Sequence, residues 1–410
     1  MHNLNIDGDR LWASLMEMAR IGATDKGGVC RLALTDLDRQ GRDLFRRWAE
    51  AAGATVTIDP IGNMFARRAG SDPTAAPVMT GSHLDTQPTG GKFDGVYGVL
   101  AGLEVLRSLA DQRIETKAPI EVVVWTNEEG SRFPPATMGS GAYAGALDLD
   151  DLLARTDSEG VTVGEALDAI GYRGTAPLRG GPVKAYFEAH IEQGPILEAS
   201  GKTIGIVTGA QGINWYDIVV TGQEAHAGPT PMPGRRDALW CALPLIERVY
   251  DLALESGPNG RATIGAIHAH PASRNTIPGQ LRFTIDMRHP DAASLAAMDA
   301  GLRAAVAALD ASGTVTAQLE QVWHCDPTPF APDLVEAVRQ GASRRGLPAQ
   351  DIISGAAHDA VYVSRVAPTA MIFVPCEDGL SHNEEENATP ADLAAGCNVL
   401  LDAILIAANA

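Results

Sequence analysis

The chain has 410 residues, of which 45% are hydrophobic and 20% charged, and its formal net charge is −19. This length exceeds one ordinary hydrophobic core, so we expect two domains in a globular protein. The negative charge argues against nucleic acid or an anionic membrane as a partner. No apolar run in the sequence approaches the roughly 20 residues that a membrane-spanning helix needs.

The cysteines and the first residues of the chain bear on the cellular compartment of the protein. Five cysteines are scattered without paired short spacings, which fits reduced thiols better than a disulfide framework or a cysteine–zinc site. The N-terminus lacks the basic start and apolar core of a secretory signal. We therefore expect a cytoplasmic protein.

The first half of the chain alternates helices with short strands. Asp7 can cap the first helix, and a β-branched run at 120–125 is typical of a strand buried on both faces. The predicted elements are helices at 35–52, 99–109 and within 152–171, and strands at 55–58, 63–67, 78–80, 120–125 and 183–192. This alternation predicts an α/β domain.

Polar side chains follow three of these strands. His83 and Asp94 follow the strand at 78–80, the pair Glu128 and Glu129 follows the next, and His190 lies close to the end of the third. Such residues can be ordinary polar turns, or a core residue in the case of His190. At the carboxyl edge of an α/β sheet, however, they also suit a metal site.

The pattern changes near residue 212. Strands are predicted at 215–221, 261–268, 280–288 and 314–322, with helices at 236–255 and 291–309. The order β-α-β-β-α-β is typical of a ferredoxin-like unit. We therefore expect a domain of residues 212–326 inserted into a catalytic domain of residues 1–211 and 327–410.

The tail returns to α/β patterning. Helices are predicted at 332–345 and 392–408, and a strand at 369–374 precedes a loop that carries His382. His83, Asp94, Glu129, His190 and His382 thus all fall at or beyond strand ends of one domain. Three imidazoles and two carboxylates suit zinc, with manganese, cobalt or nickel as alternatives. With one bridging carboxylate they can hold two metals, and Glu128 fits a general base. Asp85 can hydrogen-bond the His83 ring nitrogen that faces away from the metal.

Several short motifs carry a specific resemblance, which runs from about residue 60 to residue 400. They are Gly81-Ser-His-Leu-Asp-Thr86, Gly91-Lys-Phe-Asp-Gly95, Asn127-Glu-Glu-Gly-Ser-Arg-Phe133, Ala189-His-Ile-Glu-Gln-Gly-Pro195, His226-Ala-Gly228, Arg274-Asn-Thr-Ile-Pro278 and Ser381-His-Asn-Glu384. The chain resembles the hydantoinase/carbamoylase group of di-zinc amidohydrolases. The group includes N-carbamoyl-L-amino-acid hydrolases, β-ureidopropionases and allantoate amidohydrolases.

The resemblance implies roles for residues. One metal would be held by His83, Asp94 and His190, and the other by Asp94, Glu129 and His382, with Glu128 as the base. The inserted domain would form a homodimer and act as a lid. His226 would reach the neighbouring subunit's site and stabilise the tetrahedral intermediate. Further residues would contact a small ureido or carbamoyl substrate, and these are Gln193, Asn275 and Arg288, with Asn214 and His358 as additional candidates.

Some of these residues also have structural interpretations. Asn275 can serve its own tight turn, Arg288 can be a surface residue, and His358 can be a supporting or capping residue. We expect Arg288 to pair with the substrate's α-carboxylate, because a guanidinium can bind a carboxylate through two hydrogen bonds.

The predicted reaction is hydrolysis of an N-carbamoyl-L-amino acid to the amino acid, carbon dioxide and ammonia. Allantoate amidohydrolase and β-ureidopropionase are the nearest alternatives. The family pattern leads us to expect an extra arginine near Asn214 in an allantoate enzyme, whereas this chain has Ile213-Asn214-Trp215. An aminoacylase or dipeptidase would more often carry a carboxylate in place of His190. A metal-dependent binding protein without catalysis would not need Glu128.

Overall fold

The computed structural model describes residues 4–179 and 181–410. The chain divides into two compact units. Unit 1 comprises Met1–Thr208 and Pro329–Ala410, and unit 2 comprises Gly209–Thr328.

The helices and strands alternate along the chain. The helices are α1 (Gly8–Met18), α2 (Asp36–Ala51), α3 (Val96–Asp111), α4 (Met138–Tyr143), α5 (Leu149–Leu153), α6 (Val163–Ile170), α7 (Ile196–Ser200), α8 (Ala238–Glu255), α9 (Ala292–Ala311), α10 (Pro332–Arg344), α11 (Asp359–Val363) and α12 (Pro390–Asn409). The strands are β1 (Thr55–Ile58), β2 (Met64–Arg68), β3 (Val78–His83), β4 (Ile120–Trp125), β5 (Ala185–Ile191), β6 (Ile204–Ala210), β7 (Gly212–Thr221), β8 (Ala225–His226), β9 (Arg261–Thr263), β10 (Ile267–His270), β11 (Thr276–Ile277), β12 (Gln280–His289), β13 (Thr316–Cys325), β14 (Thr328–Pro329), β15 (Ala349–Ser354) and β16 (Thr369–Val374).

The sheet of unit 1 has the strand order β1-β2-β4-β3-β5-β16-β6-β14, with β15 beside β6. Strands β4, β3, β5 and β16 are parallel, whereas β2 and β6 join them antiparallel. The carboxyl ends of four central strands therefore meet at one edge, where α/β proteins build their sites. The predicted α/β class is confirmed, and the sheet is mixed.

The central strands are buried on both faces, as strands covered by helices require. All six residues of β16 and all seven of β5 are buried. Helices α3 and α12 pack against the sheet and each other, and α10 packs against α12. The resulting core fixes the strand ends relative to one another, because close-packed interiors deform little.

Unit 2 has the strand order β10-β12-β7-β13, with β9 also beside β12. Neighbouring strands are antiparallel, and helices α8 and α9 pack on each other and on the sheet. Strand β12 lies between β7 and β10, as in a ferredoxin-like split βαβ unit, so this part of the fold prediction is also confirmed. The residues at 261–268, predicted as one strand, form two short strands instead.

Strand β7 alternates between two environments. Tyr216, Ile218 and Val220 are fully buried in the core of unit 2, whereas Trp215 and Asp217 are exposed on the other face. This period of two is what a sheet covered by helices on one face requires. The face opposite the helices is therefore available to other contacts.

Two helices, α9 and α12, are long and apolar enough to span a membrane by length and composition alone. Sequence inspection did not single them out. Helix α12 is mostly buried in the core of unit 1, and α9 packs Leu295, Met298 and Leu302 inward. Core helices of globular proteins commonly pass the same test.

Candidate metal centre

The predicted ligands lie at the shared strand edge of unit 1. His83 is the last residue of β3, opposite Trp125 at the end of β4, and His190 lies opposite Phe373 near the end of β16. Strand β3 extends to His83, so this histidine is held by the sheet and not by a loop as predicted. Parallel pairing therefore carries side chains that are distant in sequence to one place.

The first ligand group consists of His83, Asp94 and His190, all buried. Asp94 Oδ1 lies 3.6 Å from His83 Nε2 and 3.2 Å from His190 Nε2. Burial opposes ionisation of the Asp94 carboxyl, but the surrounding imidazoles of His190, His382 and His83 outweigh it and hold the pKa of this carboxyl well below its ordinary value. An ionised carboxylate thus faces two imidazole nitrogens, a donor set suited to a divalent cation.

The second group shares Asp94 and adds Glu129 and His382. His382 Nε2 lies 3.4 Å from Asp94 Oδ2 and 3.4 Å from Glu129 Oε2. Asp94 therefore presents one oxygen to each group, as a bridging carboxylate does. Burial and the nearby Asp94 raise the pKa of Glu129 to about 7.

Backbone carbonyls orient both buried imidazoles. His83 Nδ1 lies 2.8 Å from the carbonyl oxygen of Asp85, and His190 Nδ1 lies 2.9 Å from that of Ile191. A proton on each Nδ1 completes these bonds and leaves the Nε2 lone pairs for ligation. Gly95 N–H donates to one of these lone pairs, on His190 Nε2, at 3.1 Å.

Asp85 contacts the predicted ring nitrogen of His83, but through its main chain. Its backbone carbonyl, and not its carboxylate, bonds the His83 ring, because Oδ1 remains 3.9 Å from Nδ1. The buried carboxylate instead accepts the backbone N–H groups of Glu128 and Glu129 at 3.3 and 3.2 Å. Asp85 therefore positions the loop that carries both glutamates.

Glu128 lies beside the first ligand group. Its Oε2 is 3.5 Å from His83 Nε2, and the residue is 8% exposed. Burial raises the pKa of its carboxyl well above the ordinary value, against the attraction of His83 and with the repulsion of Asp359. The preceding Asn127 has φ 53°, a left-handed conformation that ordinary side chains seldom adopt. This strained turn directs the adjacent glutamates.

Two residues that the sequence did not single out hold the ligands. Gln87 donates to Glu129 through its backbone N–H at 3.1 Å and its Nε2 at 2.6 Å. Glu386 accepts the N–H groups of Phe93 and Asp94 and the hydroxyl of Ser381. The acidic run Glu384-Glu-Glu386 was the only sequence signal for the second, and it does not reveal which member is buried.

These features are those of a known family. A model of peptidase family M20/M25/M40 matches residues 79–406. The N-carbamoyl-L-amino-acid amidohydrolase of Rhizobium meliloti is 48% identical over 403 residues, covering 98% of this chain and 97% of the relative. The chain belongs to peptidase family M20/M25/M40.

Other relatives within the M20/M25/M40 family agree. The crystal structure of an amidase of the hydantoinase/carbamoylase family from Burkholderia multivorans superposes with a TM-score of 0.96 at 60% identity, covering 99% of both chains. The allantoate amidohydrolase of Bacillus subtilis is more distant, at 33% identity over 388 residues and 94% of each chain. The resemblance to the hydantoinase/carbamoylase group is confirmed.

Two divalent metals are typical of the M20/M25/M40 family, and the two ligand groups fit them. The Nε2 atoms and carboxylate oxygens of each group lie within 4.8 Å of one another. The Nδ1 atoms of His83 and His190 are hydrogen-bonded to backbone carbonyls, so their Nε2 atoms face the ligand groups. The donor set is mixed nitrogen and oxygen, which suits zinc but also several other first-row metals.

Gln193 and His358 lie near this centre in unit 1. Gln193 Nε2 donates to Asp94 Oδ2 at 2.8 Å. His358 is buried with its ring 4.5 Å from that of His190, and its Nε2 has no hydrogen-bond partner within the described residues. Burial and then His190 lower its pKa well below the ordinary value. His358 occupies the N-cap position of α11, but its side chain makes no capping hydrogen bond there.

The remaining predicted residues belong to unit 2. Exposed His226 and Asn275 are brought together where β8 pairs with β11, since Ala227 N–H donates to the Asn275 carbonyl at 2.9 Å. Arg288 pairs with Asp286 at 2.7 Å. Asn214 is buried on the helix-covered face of β7, and its Oδ1 contacts Gln321 and His324. Substrate contact by these residues stays a prediction.

Proposed function

We propose that this protein is a metal-dependent amidohydrolase that cleaves the carbamoyl C–N bond of N-carbamoyl-L-amino acids, releasing the amino acid, carbon dioxide and ammonia. The observation that carries this proposal is the buried Glu128 carboxylate beside two ligand groups, in a chain so similar to the Rhizobium meliloti enzyme. The lower identity of the allantoate amidohydrolase makes allantoate the second candidate substrate.

His83, Asp94 and His190 would hold one cation, and Asp94, Glu129 and His382 the other. When bound, two divalent cations acidify water and polarise a carbonyl oxygen. Zinc is the proposed metal, with manganese, cobalt or nickel as alternatives. The chain contributes the arrangement, since Asp85, Gln87 and Glu386 fix the loops that present the ligands.

Glu128 would transfer protons as the general base and acid. It would take a proton from the attacking water and return it to the leaving nitrogen, which matches the rules for general acid–base catalysis. Its burial favours the protonated form that exists between these two steps. The hydrogen bond from its backbone N–H to the Asp85 carboxylate keeps the Glu128 side chain beside the ligand groups.

His226 and Asn275 would stabilise the oxyanion of the tetrahedral intermediate. Gly228 N–H donates to His226 Nδ1 at 3.1 Å, which leaves Nε2–H available as a donor. Each well-placed donor in such a site contributes about 3 kcal/mol. Arg288 would bind the α-carboxylate of the substrate, and Gln193, Asn214 and His358 are further proposed contacts.

A second copy of the chain would complete the assembly. Helix α8 exposes an apolar stripe, and its members are Leu239, Trp240, Leu243, Tyr250 and Leu254. Strand β10 lies at the edge of the unit 2 sheet, on which α8 packs, and it exposes Ile267. A stripe of this kind and an open edge are typical of a homodimer interface. We place the protein in the cytoplasm, where its five free cysteines would stay reduced.

The test is a substrate panel on protein reconstituted with zinc or manganese, read by ammonia release. The panel contains N-carbamoyl-L- and D-amino acids, β-ureidopropionate, allantoate and N-acetyl amino acids. We expect turnover of the N-carbamoyl-L-amino acids to exceed that of the others. If the protein prefers allantoate or β-ureidopropionate, that compound replaces N-carbamoyl-L-amino acids as the assigned substrate. Binding without ammonia release would contradict catalysis altogether.

A further inference from the structure

Two side chains of unit 2 donate hydrogen bonds to one carboxylate. Asp286 Oδ2 accepts Arg288 Nη2–H at 2.7 Å and Trp215 Nε1–H at 2.9 Å. Asp286 and Arg288 lie two residues apart on β12, and Trp215 lies opposite Asp286 on β7. One acceptor thus holds a guanidinium and an indole side by side.

A second indole extends this surface. Trp323 lies opposite Trp215 on β13, with ring centroids 4.9 Å apart and planes inclined by 50°. Trp215 is 43% exposed, on the face of β7 opposite the buried Tyr216. The indole pair, Trp215 with Trp323, therefore presents aromatic surface and does not fill the core of unit 2.

We propose that the indole pair receives the substrate's side chain and selects N-carbamoyl-L-amino acids with aromatic or large apolar side chains. This inference rests on the proposed function, in which Arg288 binds the α-carboxylate. An amino acid carries its carboxylate and its side chain on the same carbon atom. A side chain whose carboxylate lies on Arg288 is therefore within reach of the indole beside that guanidinium.

The chemistry of the surface favours this occupant. Aromatic rings associate at centroid distances of about 4.5–7 Å, and Trp offers the largest such face. A guanidinium beside an aromatic surface is complementary to a molecule that has one carboxylate and one apolar group. A bulge between Gln321 and Trp323 shifts the register of β13, so that Trp323 lies directly opposite Trp215.

The experiment compares kcat/KM for N-carbamoyl-L-tryptophan, N-carbamoyl-L-phenylalanine and N-carbamoylglycine on the metal-reconstituted full chain. We expect the native protein to prefer the aromatic substrates by about 10-fold or more, because pockets discriminate apolar groups by 10- to 200-fold. Trp323→Ala should lower kcat/KM about 5- to 10-fold for these two through KM, and less than about 2-fold for the glycine derivative. This variant leaves the bond between Trp215 and Asp286 in place, so Arg288 keeps its anchor.

Two further variants separate stacking from anchoring. Trp215→Phe keeps an aromatic face but removes the N–H donor, so selectivity should persist even if all three KM values rise together. Val322→Ala removes exposed apolar surface from the same strand but keeps both indole side chains, and it should leave the ratio unchanged. Trp323→Leu keeps apolar bulk and replaces the alanine variant if circular dichroism shows that the latter is unfolded.

The outcomes distinguish this inference from the proposed function. Equal losses on all three substrates in both Trp323 variants, or no aromatic preference in the native protein, would overturn the indole pair as the selecting surface while the activity stands. A change in oligomeric state with unchanged selectivity would assign the pair to an interface instead. Failure of the native protein to hydrolyse any of the three substrates would overturn the proposed function and this inference with it.

Discussion

The carboxylate of Asp85 accepts a hydrogen bond from the backbone N–H of Glu129, with Oδ2 3.2 Å from that nitrogen. The neighbouring oxygen accepts the N–H of Glu128 at 3.3 Å, and Asp85 itself is 1% exposed. The loop after β3 therefore determines where the two glutamates after β4 lie. Asp85 thus connects the loop that follows His83 with the loop that carries Glu128 and Glu129.

Replacement of Asp85 should impair the centre without unfolding the chain. Asp85→Ala leaves two buried N–H groups without an acceptor, so we expect metal affinity or turnover to fall about 10- to 100-fold, as for other residues that support ligands. Inductively coupled plasma mass spectrometry measures the metal content, and ammonia release measures kcat. Asp150→Asn, on the exposed first turn of α5, is the control. Unchanged metal content and rate in Asp85→Ala would contradict the positioning role.

Glu128→Gln should keep the metals and lose turnover. The amide preserves the shape of the side chain but cannot accept a proton, and general-base catalysis contributes about 10²- to 10⁴-fold. Measured kcat should fall by that amount with two metals still bound. The matched variant Glu129→Gln should lose metal as well as activity, because Glu129 belongs to a ligand group. Substantial turnover by Glu128→Gln would remove the base assignment.

Gly95→Ala should displace His83, the last residue of β3. Gly95 has φ 66°, and a Cβ there would lie 2.3 Å from the His83 ring atoms Cε1 and Nε2. Gly201→Ala is a close control, since its φ is 62° but nothing lies within 4 Å of the added carbon. Gly201→Ala carries a backbone cost of about 1 kcal/mol in the left-handed region, whereas Gly95, with ψ −47°, lies outside that region and carries a larger cost. Only Gly95→Ala should also lose metal, and equal metal content in both variants would refute steric displacement of His83.

The turn before β2 should make stability depend on pH. Burial raises the pKa of Asp59 from 3.8 to about 7, against hydrogen bonds from Asn63 and neighbouring N–H groups. Between these values the native state keeps a proton that the unfolded state has released. The free energy of unfolding contributed by Asp59 therefore falls as pH rises, by roughly 2 to 3 kcal/mol from pH 5 to pH 7, and is constant above pH 7.

Asp59→Asn tests this dependence, because an amide does not titrate. We expect the stability of the variant relative to the native protein to rise from pH 5 to pH 7 in urea unfolding monitored by circular dichroism. A constant difference across this range would show that Asp59 is ionised throughout. The residue matters for the centre because Asn63, which bonds Asp59, also accepts Thr126 N–H at the end of β4.

Sequence patterns predicted the buried strands well for a physical reason. Strands β4 and β16 are predominantly apolar runs, with Glu121 and Thr369 as their polar members, and the structure places them at the predicted residues. Strand β15, Ala349–Ser354, was not predicted because Gln350 and Asp351 interrupt its apolar character. Strand β15 pairs with β6 and is only partly buried, so pairing with the neighbouring strand, and not composition, determines its conformation.

The metal-ligand candidates were predictable, whereas their supports were not. Strand ends can be located from apolar runs, so His83 and His190 could be placed at one edge. The sequence does not encode whether Asp85 turns its carboxylate or its carbonyl toward His83, since both geometries fit a two-residue spacing. Gln87 and Glu386 act through contacts that exist only after the chain folds.

Strand β16 lies between β5 and β6 in the sheet, although both neighbours precede it in the chain by the whole of unit 2. While the ribosome is still making Gly209–Thr328, the nascent chain already displays β5 with an unpaired, apolar edge. Such edges attract other strands. Synthesis of this protein therefore includes an interval in which this edge of β5 lacks its partner strand, until Thr369–Val374 emerges and pairs with it.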